Sequence, residues 1–308
     1  MLNLVRLIRL PNLLIVALVQ FIIYLKILVP IFEDKGITTT LPLLQFSLFV
    51  VTTILITAGG YIINDILDYE TDLINKGESV ILNKKIAVES ATWLYLTASG
   101  GGFFIAIYLA FFVGHLDWVT LYPISIGGLF VYSRFLKKMP LLGNLTVAVF
   151  AAGVAGIILL AEKNGLAQLT QLAPLISLKI YLVVGFYMLF AFYTSLFREL
   201  IKDIEDIEGD AHEKYRTLPI LLGVPKVKKL AMVFAVSLLI LMIGAGWFFW
   251  DSFTLLNKFA LSPVTLGAMV WILFLLNKAE QKQDFHAISQ WTKLVMLGGI
   301  LILLGLHI

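Results

Sequence analysis

Apolar side chains run in long unbroken blocks along this chain, separated by shorter polar stretches. Nine blocks are long enough to be helices in hydrocarbon: 10–32, 43–63, 91–113, 118–133, 141–161, 177–197, 230–250, 259–276 and 291–306. A bilayer core takes about 20 residues of helix, so the fourth and ninth are expected to extend by a turn into their flanks. The blocks are continuous rather than alternating, which excludes a transmembrane barrel. Proline and glycine fall inside several of them, as membrane helices tolerate when neighbouring helices satisfy the freed backbone groups. The pattern predicts an all-α, multi-pass membrane bundle of nine transmembrane helices, forming one membrane-embedded domain over 1–308. No cleavable signal peptide is expected, because the first block is long enough to span and no small-residue cleavage site follows it.

Composition agrees with the pattern. The chain is 60% hydrophobic and 14% charged, with a mean hydropathy of +0.94; a soluble domain carries roughly 25% charged residues. Disorder and fibrous repeats are excluded by the same numbers. There are no cysteines, so disulfides, thiolate metal sites and cysteine nucleophiles are ruled out together. A net charge of +3 spread over an apolar chain gives no reason to expect a nucleic-acid partner. Nothing in the pattern specifies an oligomeric state.

Where the basic residues fall matters more than their sum. The N-terminus and the connections after the second, fourth, sixth and eighth spans hold 17 of the 23 Lys and Arg residues, and the opposite side holds Lys35, Lys163 and Lys258. This bias puts the N-terminus in the cytoplasm. It also supports the count of nine, because one missed or extra span would scramble the two groups. The longest polar connections, 64–90 and 198–229, both fall on the basic side.

Those two connections also hold 13 of the 20 carboxylates. Asp65, Asp68 and Asp72 sit at i, i+3 and i+7, and Asp203, Asp206 and Asp210 repeat the spacing. On a helix each trio falls within about 60° of arc, while Glu70, Glu205 and Glu208 point elsewhere. Like charges so placed destabilise a helix by roughly 0.2–0.5 kcal/mol per pair; a divalent cation reverses that sign. Oxygen-only ligands favour Mg²⁺ over Zn²⁺. Mg²⁺ is usually held by one or two carboxylates together with substrate phosphates, so two stripes on one membrane face point to a Mg²⁺-bridged diphosphate. The competing reading of each stripe is a polar loop facing water.

The first stripe lies in Asn64-Asp65-Ile66-Leu67-Asp68-Tyr69-Glu70-Thr71-Asp72. This resembles the NDxxDxxxD motif of the UbiA-type intramembrane prenyltransferases. The second, Arg198 to Asp210 followed by Thr217-Leu218-Pro219, looks like that superfamily's second acidic motif. A third match is Tyr132-Ser133-Arg134-Phe135-Leu136-Lys137-Lys138 ahead of Gly143-Asn144. The resemblance covers nearly the whole chain. It implies a nine-helix bundle around a cavity open to the cytoplasmic side of a prokaryotic cell membrane. It also implies transfer of a prenyl group from an isoprenyl diphosphate donor to a lipid or aromatic acceptor, with Mg²⁺ as cofactor. The implied metal-binding residues are Asn64, Asp65, Asp68, Asp72, Asp203, Asp206 and Asp210. Asp68, Asp72, Asp203, Asp206 and Lys137 are the implied catalytic set. The sequence departs from the family in one place: Asn75 is present, but Ser79 and Val80 stand where an Arg-Pro pair is common, leaving Lys76, Lys84 and Lys85 as nearby substitutes for the arginine.

Cations on a departing diphosphate neutralise its developing charge, and Lys137, Lys202 and Arg216 are the candidates. Each equally fits a cytoplasmic anchor. Tyr132 is a further substrate-side candidate; with Tyr187 and Tyr193 it could face an allylic cation, as aromatic faces do, or simply pack. Asn12, an amide just inside the first span, suits either substrate or a neighbouring helix. The four histidines have no metal-ligand spacing. The Arg198–Asp210 segment looks most like the branch that prenylates a geranylgeranylglycerol phosphate-like lipid precursor, and Tyr69 stands where the aromatic-acceptor branch commonly has arginine. A quinone-precursor acceptor such as 4-hydroxybenzoate or a naphthoate, and a UbiA-type terpene cyclase, remain the alternatives. A transporter is the reading from another class. It would place carboxylates at mid-span, and no span has one there.

Overall fold

The computed structural model describes residues 2–77 and 80–308. Along the chain the helices are α1 (Leu2–Leu7), α2 (Leu10–Ile22), α3 (Val29–Asp34), α4 (Leu43–Leu67), α5 (Tyr69–Lys76), α6 (Val88–Val113), α7 (Leu121–Arg134) and α8 (Leu142–Ala161). They continue as α9 (Lys163–Leu172), α10 (Pro174–Glu205), α11 (Ile207–His212), α12 (Leu218–Leu222), α13 (Val224–Phe248), α14 (Ser262–Lys278) and α15 (Lys282–Leu304). Among the described residues, nine helical stretches are long and apolar enough to cross a membrane, and each contains or overlaps one block of the sequence pattern. The protein is an integral membrane protein with an all-helical fold.

Two spans contain a π turn. Between α2 and α3 the chain widens to a π turn over Ile23–Leu28, and a second π turn covers Asn257–Leu261 ahead of α14. Each comes just before a proline, Pro30 and Pro263. A proline has no N–H to give the carbonyl four residues back, and its ring crowds that oxygen. Here those carbonyls belong to Lys26 and Phe259, inside the π turns, so the wider winding answers a local steric demand.

Several helices outrun their apolar blocks. α10 continues eight residues past position 197 and takes Arg198, Glu199, Lys202 and Asp203 onto the helix. α15 starts nine residues before position 291, behind a reciprocal cap between Gln281 and Asp284. α9, which follows the fifth span, buries Leu166 and Leu169 on one face. The sequence expectation of one helical face per acidic stripe is corrected by the backbone. α4 ends at Leu67 and α10 at Glu205, and the middle acid of each stripe stands at the junction: Asp68 at φ −96°, ψ 5° and Asp206 at φ −97°, ψ 8°. That is the bridge region, which bends a chain without stopping its hydrogen bonding. Asp68 N–H still donates to Asn64 O at 2.9 Å, and Asp206 N–H to Lys202 O at 2.8 Å.

The chain divides into two compact units. The first comprises residues 1–21, 40–139 and 208–215. In it, Leu7, Ile62, Leu82 and Ala91 form a small buried cluster that fixes α1 and the 80–86 loop against α4 and α6. The second comprises residues 22–39, 140–207 and 216–308. Its main core joins Phe197, Leu200, Ile201 and Ile204 of α10 to α13, α14 and α15. Close packing inside the second unit depends on Gly165. A Cβ there would stand 2.5 Å from the ring of Phe32, which is fully buried.

Gly165→Ala is therefore expected to destabilise the protein by roughly 1–3 kcal/mol through overpacking. Gly153, where a Cβ meets nothing within 4 Å, is the control: Gly153→Ala should melt no lower than wild type in detergent. Equal melting of the two variants would contradict this packing.

Candidate active site

In the first unit, the last two turns of α4 carry Tyr61, Asn64 and Asp65, and Asp68 follows at the bend. Asn64 donates its amide to Asp68 Oδ2 at 2.7 Å, and the Lys137 ammonium bonds the other oxygen of the same carboxylate. Lys137 comes from a 3-10 turn, Leu136–Lys138, that follows α7. Its side chain is only 10% exposed and that of Asp68 15%. A lysine so placed is there for its charge, because burying it costs free energy that only a partner repays. Asp72 also lies close enough to act on that charge.

The other face of α4 engages the N-terminus. Arg9 donates to Asp65 Oδ1 at 2.7 Å and its guanidinium stands 4.6 Å from the centre of the Tyr61 ring. Asn12 donates to the Tyr61 hydroxyl at 3.3 Å. Arg9 adopts φ +53° between α1 and α2, a left-handed conformation that costs an arginine on the order of 1 kcal/mol. The Asp65 pair and the aromatic contact offset that cost. Burial works against the Arg9 charge, but the Asp65 carboxylate, then Tyr61 and Tyr132, hold its pKa above the ordinary arginine value. Asp65 and Asn12, both expected at the substrate or metal, are thus engaged with Arg9 and Tyr61.

The first unit also contains Asp210. It is buried on α11, five residues ahead of Tyr215. The Tyr215 hydroxyl accepts from Thr71 at 3.2 Å, and the Lys138 ammonium lies 4.8 Å from its ring centre. Burial pushes the Tyr215 phenol up; the Thr71 bond opposes this, and the Asp68, Glu213 and Asp210 carboxylates add to the rise. Tyr215 therefore marks where residues of the first motif and the end of the second lie together.

In the second unit, one face of α10 packs into the core and another meets α8. Asn144 of α8 is buried and donates to Asp203 Oδ2 at 2.9 Å. Next to Asp206, Glu205 meets His286 of α15 at 2.7 Å. Arg198 donates to Glu199 at 3.2 Å. Among the described residues, Lys202 and Arg216 have no ion-pair partner; Lys202 is half-buried and Arg216 exposed. Tyr187 lies 16 positions before Asp203 on α10, about 24 Å by helical rise, and Tyr193 packs against Phe192 and Phe234. Glu78 and Ser79, with the side chains of Asn75 and Lys76, lie outside the described residues.

Three contributors carry no sign in the sequence pattern beyond their charge or polarity: Arg9, Tyr61 and Tyr215. The Gly143-Asn144 pair was visible as a motif but not as a partner for Asp203.

A cation would find suitable donors. The Asn64 side-chain oxygen is buried with no hydrogen-bond partner, and an unsatisfied buried acceptor is costly unless something is bound there. The surrounding donors are carboxylate and amide oxygens, which suit Mg²⁺. Among the described residues, no group of three or more His, Asp or Glu side chains is gathered closely enough to hold a metal.

Residues 36–294 match the model of the UbiA prenyltransferase family. The chain belongs to that family. It is 31% identical over 254 residues to a digeranylgeranylglyceryl phosphate synthase of Thermococcus kodakarensis, covering 80% of each chain. To the synthase of that name from Saccharolobus solfataricus it is 31% identical over 250 residues, covering 80% of this chain and 79% of the other. A solved structure of a digeranylgeranylglyceryl phosphate synthase superposes with a TM-score of 0.62 at 22% identity over 98% of both chains. A UbiA homologue from Archaeoglobus fulgidus, bound to DMAPP and Mg²⁺, superposes with a TM-score of 0.53 at 16% identity, covering 98% of this chain and 99% of that one. These structures share the fold. The protein is a prenyltransferase.

Replacing Lys137 with methionine removes the cation beside Asp68. Turnover, followed as diphosphate release, is expected to fall about 10²-fold or more in protein that keeps its helical circular dichroism. Wild-type turnover in that variant would remove Lys137 from the site.

Proposed function

We propose that this protein transfers a geranylgeranyl group from its diphosphate to the free hydroxyl of geranylgeranylglyceryl phosphate, as a digeranylgeranylglyceryl phosphate synthase does. The observation that carries the reading is the Asp68 carboxylate, held at the end of a membrane helix between Asn64 and Lys137, beside an unsatisfied Asn64 oxygen. Similarity at 31% over four-fifths of the chain to synthases of that name supports the acceptor.

Asn64, Asp68 and Asp72 in the first unit, and Asp203 and Asp206 in the second, are the residues that would hold Mg²⁺. Bound Mg²⁺ supplies Lewis-acid neutralisation of the diphosphate charge. Lys137 would donate to a diphosphate oxygen, and Asn64 would keep Asp68 oriented while it does so. The bond from the allylic carbon to the diphosphate oxygen breaks, with its electron pair leaving on diphosphate. The acceptor oxygen bonds to that carbon and its proton passes to solvent. Asn144 orients Asp203, and Arg9 keeps Asp65 in place behind the bend. Both substrates are lipids with anionic heads, whose charge Mg²⁺ held by acids at the helix ends would neutralise, and with tails that suit apolar helices. The acids are assigned to the cytoplasmic side of the archaeal-type cell membrane, with the N-terminus on the same side.

Two measurements test this. With Mg²⁺, geranylgeranyl diphosphate and geranylgeranylglyceryl phosphate, mass spectrometry should find the doubly prenylated lipid. Asp68→Ala or Asp206→Ala should lower its rate about 10²–10³-fold. Prenylated 4-hydroxybenzoate as the preferred product, or a hydrocarbon formed from donor alone, would overturn the proposed acceptor.

The second is topological. The native chain has no cysteine, so single substitutions report cleanly. Lys84→Cys and Lys282→Cys should resist an impermeant maleimide in intact cells, and Lys163→Cys should react. The reverse pattern would invert the orientation.

A further inference from the structure

The second unit contains a cavity of about 380 Å³ that the transfer reaction does not account for. It lies between the middle of α10, the end of α13, the start of α14 and the end of α15. The acid end of this unit is elsewhere. Asp203, Glu205 with His286, and the Lys228 bonds to the Asn277 and Ala279 carbonyls all gather at the C-terminal end of α10 and α14 and the N-terminal end of α13 and α15. From Phe186 in the cavity wall to Asp203 is 17 residues of one helix, about 25 Å. An antiparallel bridge between Phe253 and Leu306 holds the far end together.

The lining is almost wholly hydrocarbon and aromatic, with Lys258, Ser262 and Thr265 as its exceptions. Lys258 brings a charge, its ammonium 5.2 Å from the ring centre of Trp250, which also lines the cavity. Ser262, one turn further on, has a buried hydroxyl oxygen with no partner among the described residues. Thr265, by contrast, is satisfied by the Leu261 carbonyl at 2.6 Å. Around this end Trp247, Leu255 and Phe259 are each more than 70% exposed. Exposed tryptophan and a lysine beside it are the marks of a bilayer interface. The cavity size is in the range of small-molecule and lipid-chain sites.

We propose that this cavity is a binding site for an anionic bilayer lipid from the leaflet opposite the carboxylates. One apolar chain lies among α10, α13, α14 and α15. The phosphate pairs with Lys258, and a glycerol-region oxygen accepts from Ser262. The charge complementarity of a single lysine at the mouth of an apolar space, in a part of the molecule that otherwise meets hydrocarbon, selects this occupant over a soluble metabolite or a protein segment.

Gly246 lines the cavity on α13, and a Cβ there meets nothing within 4 Å, so Gly246→Leu fills the space without backbone strain. The probe is phosphatidylglycerol carrying a diazirine in its acyl chain, mixed with phosphatidylcholine in nanodiscs around the full chain. Photolabelled peptides should come from 241–266, and Gly246→Leu should reduce labelling to background while prenyl transfer continues. Lys258→Gln should lower the preference for phosphatidylglycerol over phosphatidylcholine about fivefold; should Gly246→Leu melt early, this variant decides alone. Labelling unaffected by both substitutions overturns the site. So does a Gly246→Leu enzyme that loses transfer from geranylgeranyl diphosphate but keeps it from dimethylallyl diphosphate, since the cavity would then hold the donor's tail.

Discussion

A helix in hydrocarbon must satisfy its own backbone, because no water is available to do so. That constraint governs where this protein departs from regular geometry. The π turns at Ile23–Leu28 and Asn257–Leu261 are forced by prolines whose missing N–H would otherwise strand a carbonyl. The bends at Asp68 and Asp206 keep their i−4 hydrogen bonds while changing direction. Two acids of the same motif position share almost the same φ and ψ, and each begins a short helix, α5 or α11. The bend lets a carboxylate leave the helix surface without breaking the ladder beneath it. Both bends thus stand where backbone geometry can change at least cost.

The same scarcity of water dictates the side chains. A buried charge without a partner is too costly to keep, and the acids of the site are held by dedicated groups: Asp65 by Arg9, Asp68 by Lys137 and Asn64, Asp203 by Asn144. The partners differ in kind, and the difference is informative. An arginine in a fixed fork pins Asp65 as part of the framework. The Asn144 amide orients Asp203 without cancelling its charge, whereas Asp68 has both an amide and the Lys137 ammonium. Lys137 brings a compact point charge to Asp68 rather than a fork.

Much of this was legible in the sequence, for identifiable reasons. The spans, their number and the two stripes are local patterns: runs of apolar residues and a repeated 3–4 spacing. The motif around Lys137 could be matched by type and order alone. What escaped was non-local or subtle. Arg9 reads as an orientation charge because its partner Asp65 is 56 residues away. Tyr215 meets Thr71 across 144 residues, and nothing near either announces it. The extension of α10 through Arg198–Glu205 shows in the spacing of its acids and not in hydropathy, which falls there; glutamate and lysine are good helix formers. The bends at the central aspartates were invisible, since a residue in the bridge region needs no special side chain.

α10 joins two environments that a single helix rarely serves. Its C-terminal turns carry Asp203 and lead into Asp206, where oxygen and nitrogen donors converge. Its middle presents Phe186, Tyr187 and Phe190 to a cavity with almost no polar wall. The change occurs over about four turns, and the core residues between them, Phe197, Leu200, Ile201 and Ile204, are packed without exposure above 4%. A tightly packed core transmits displacement rather than absorbing it. Close packing of this kind fixes the Asp203 end of α10 in register with its apolar end, so that one continuous helix serves both.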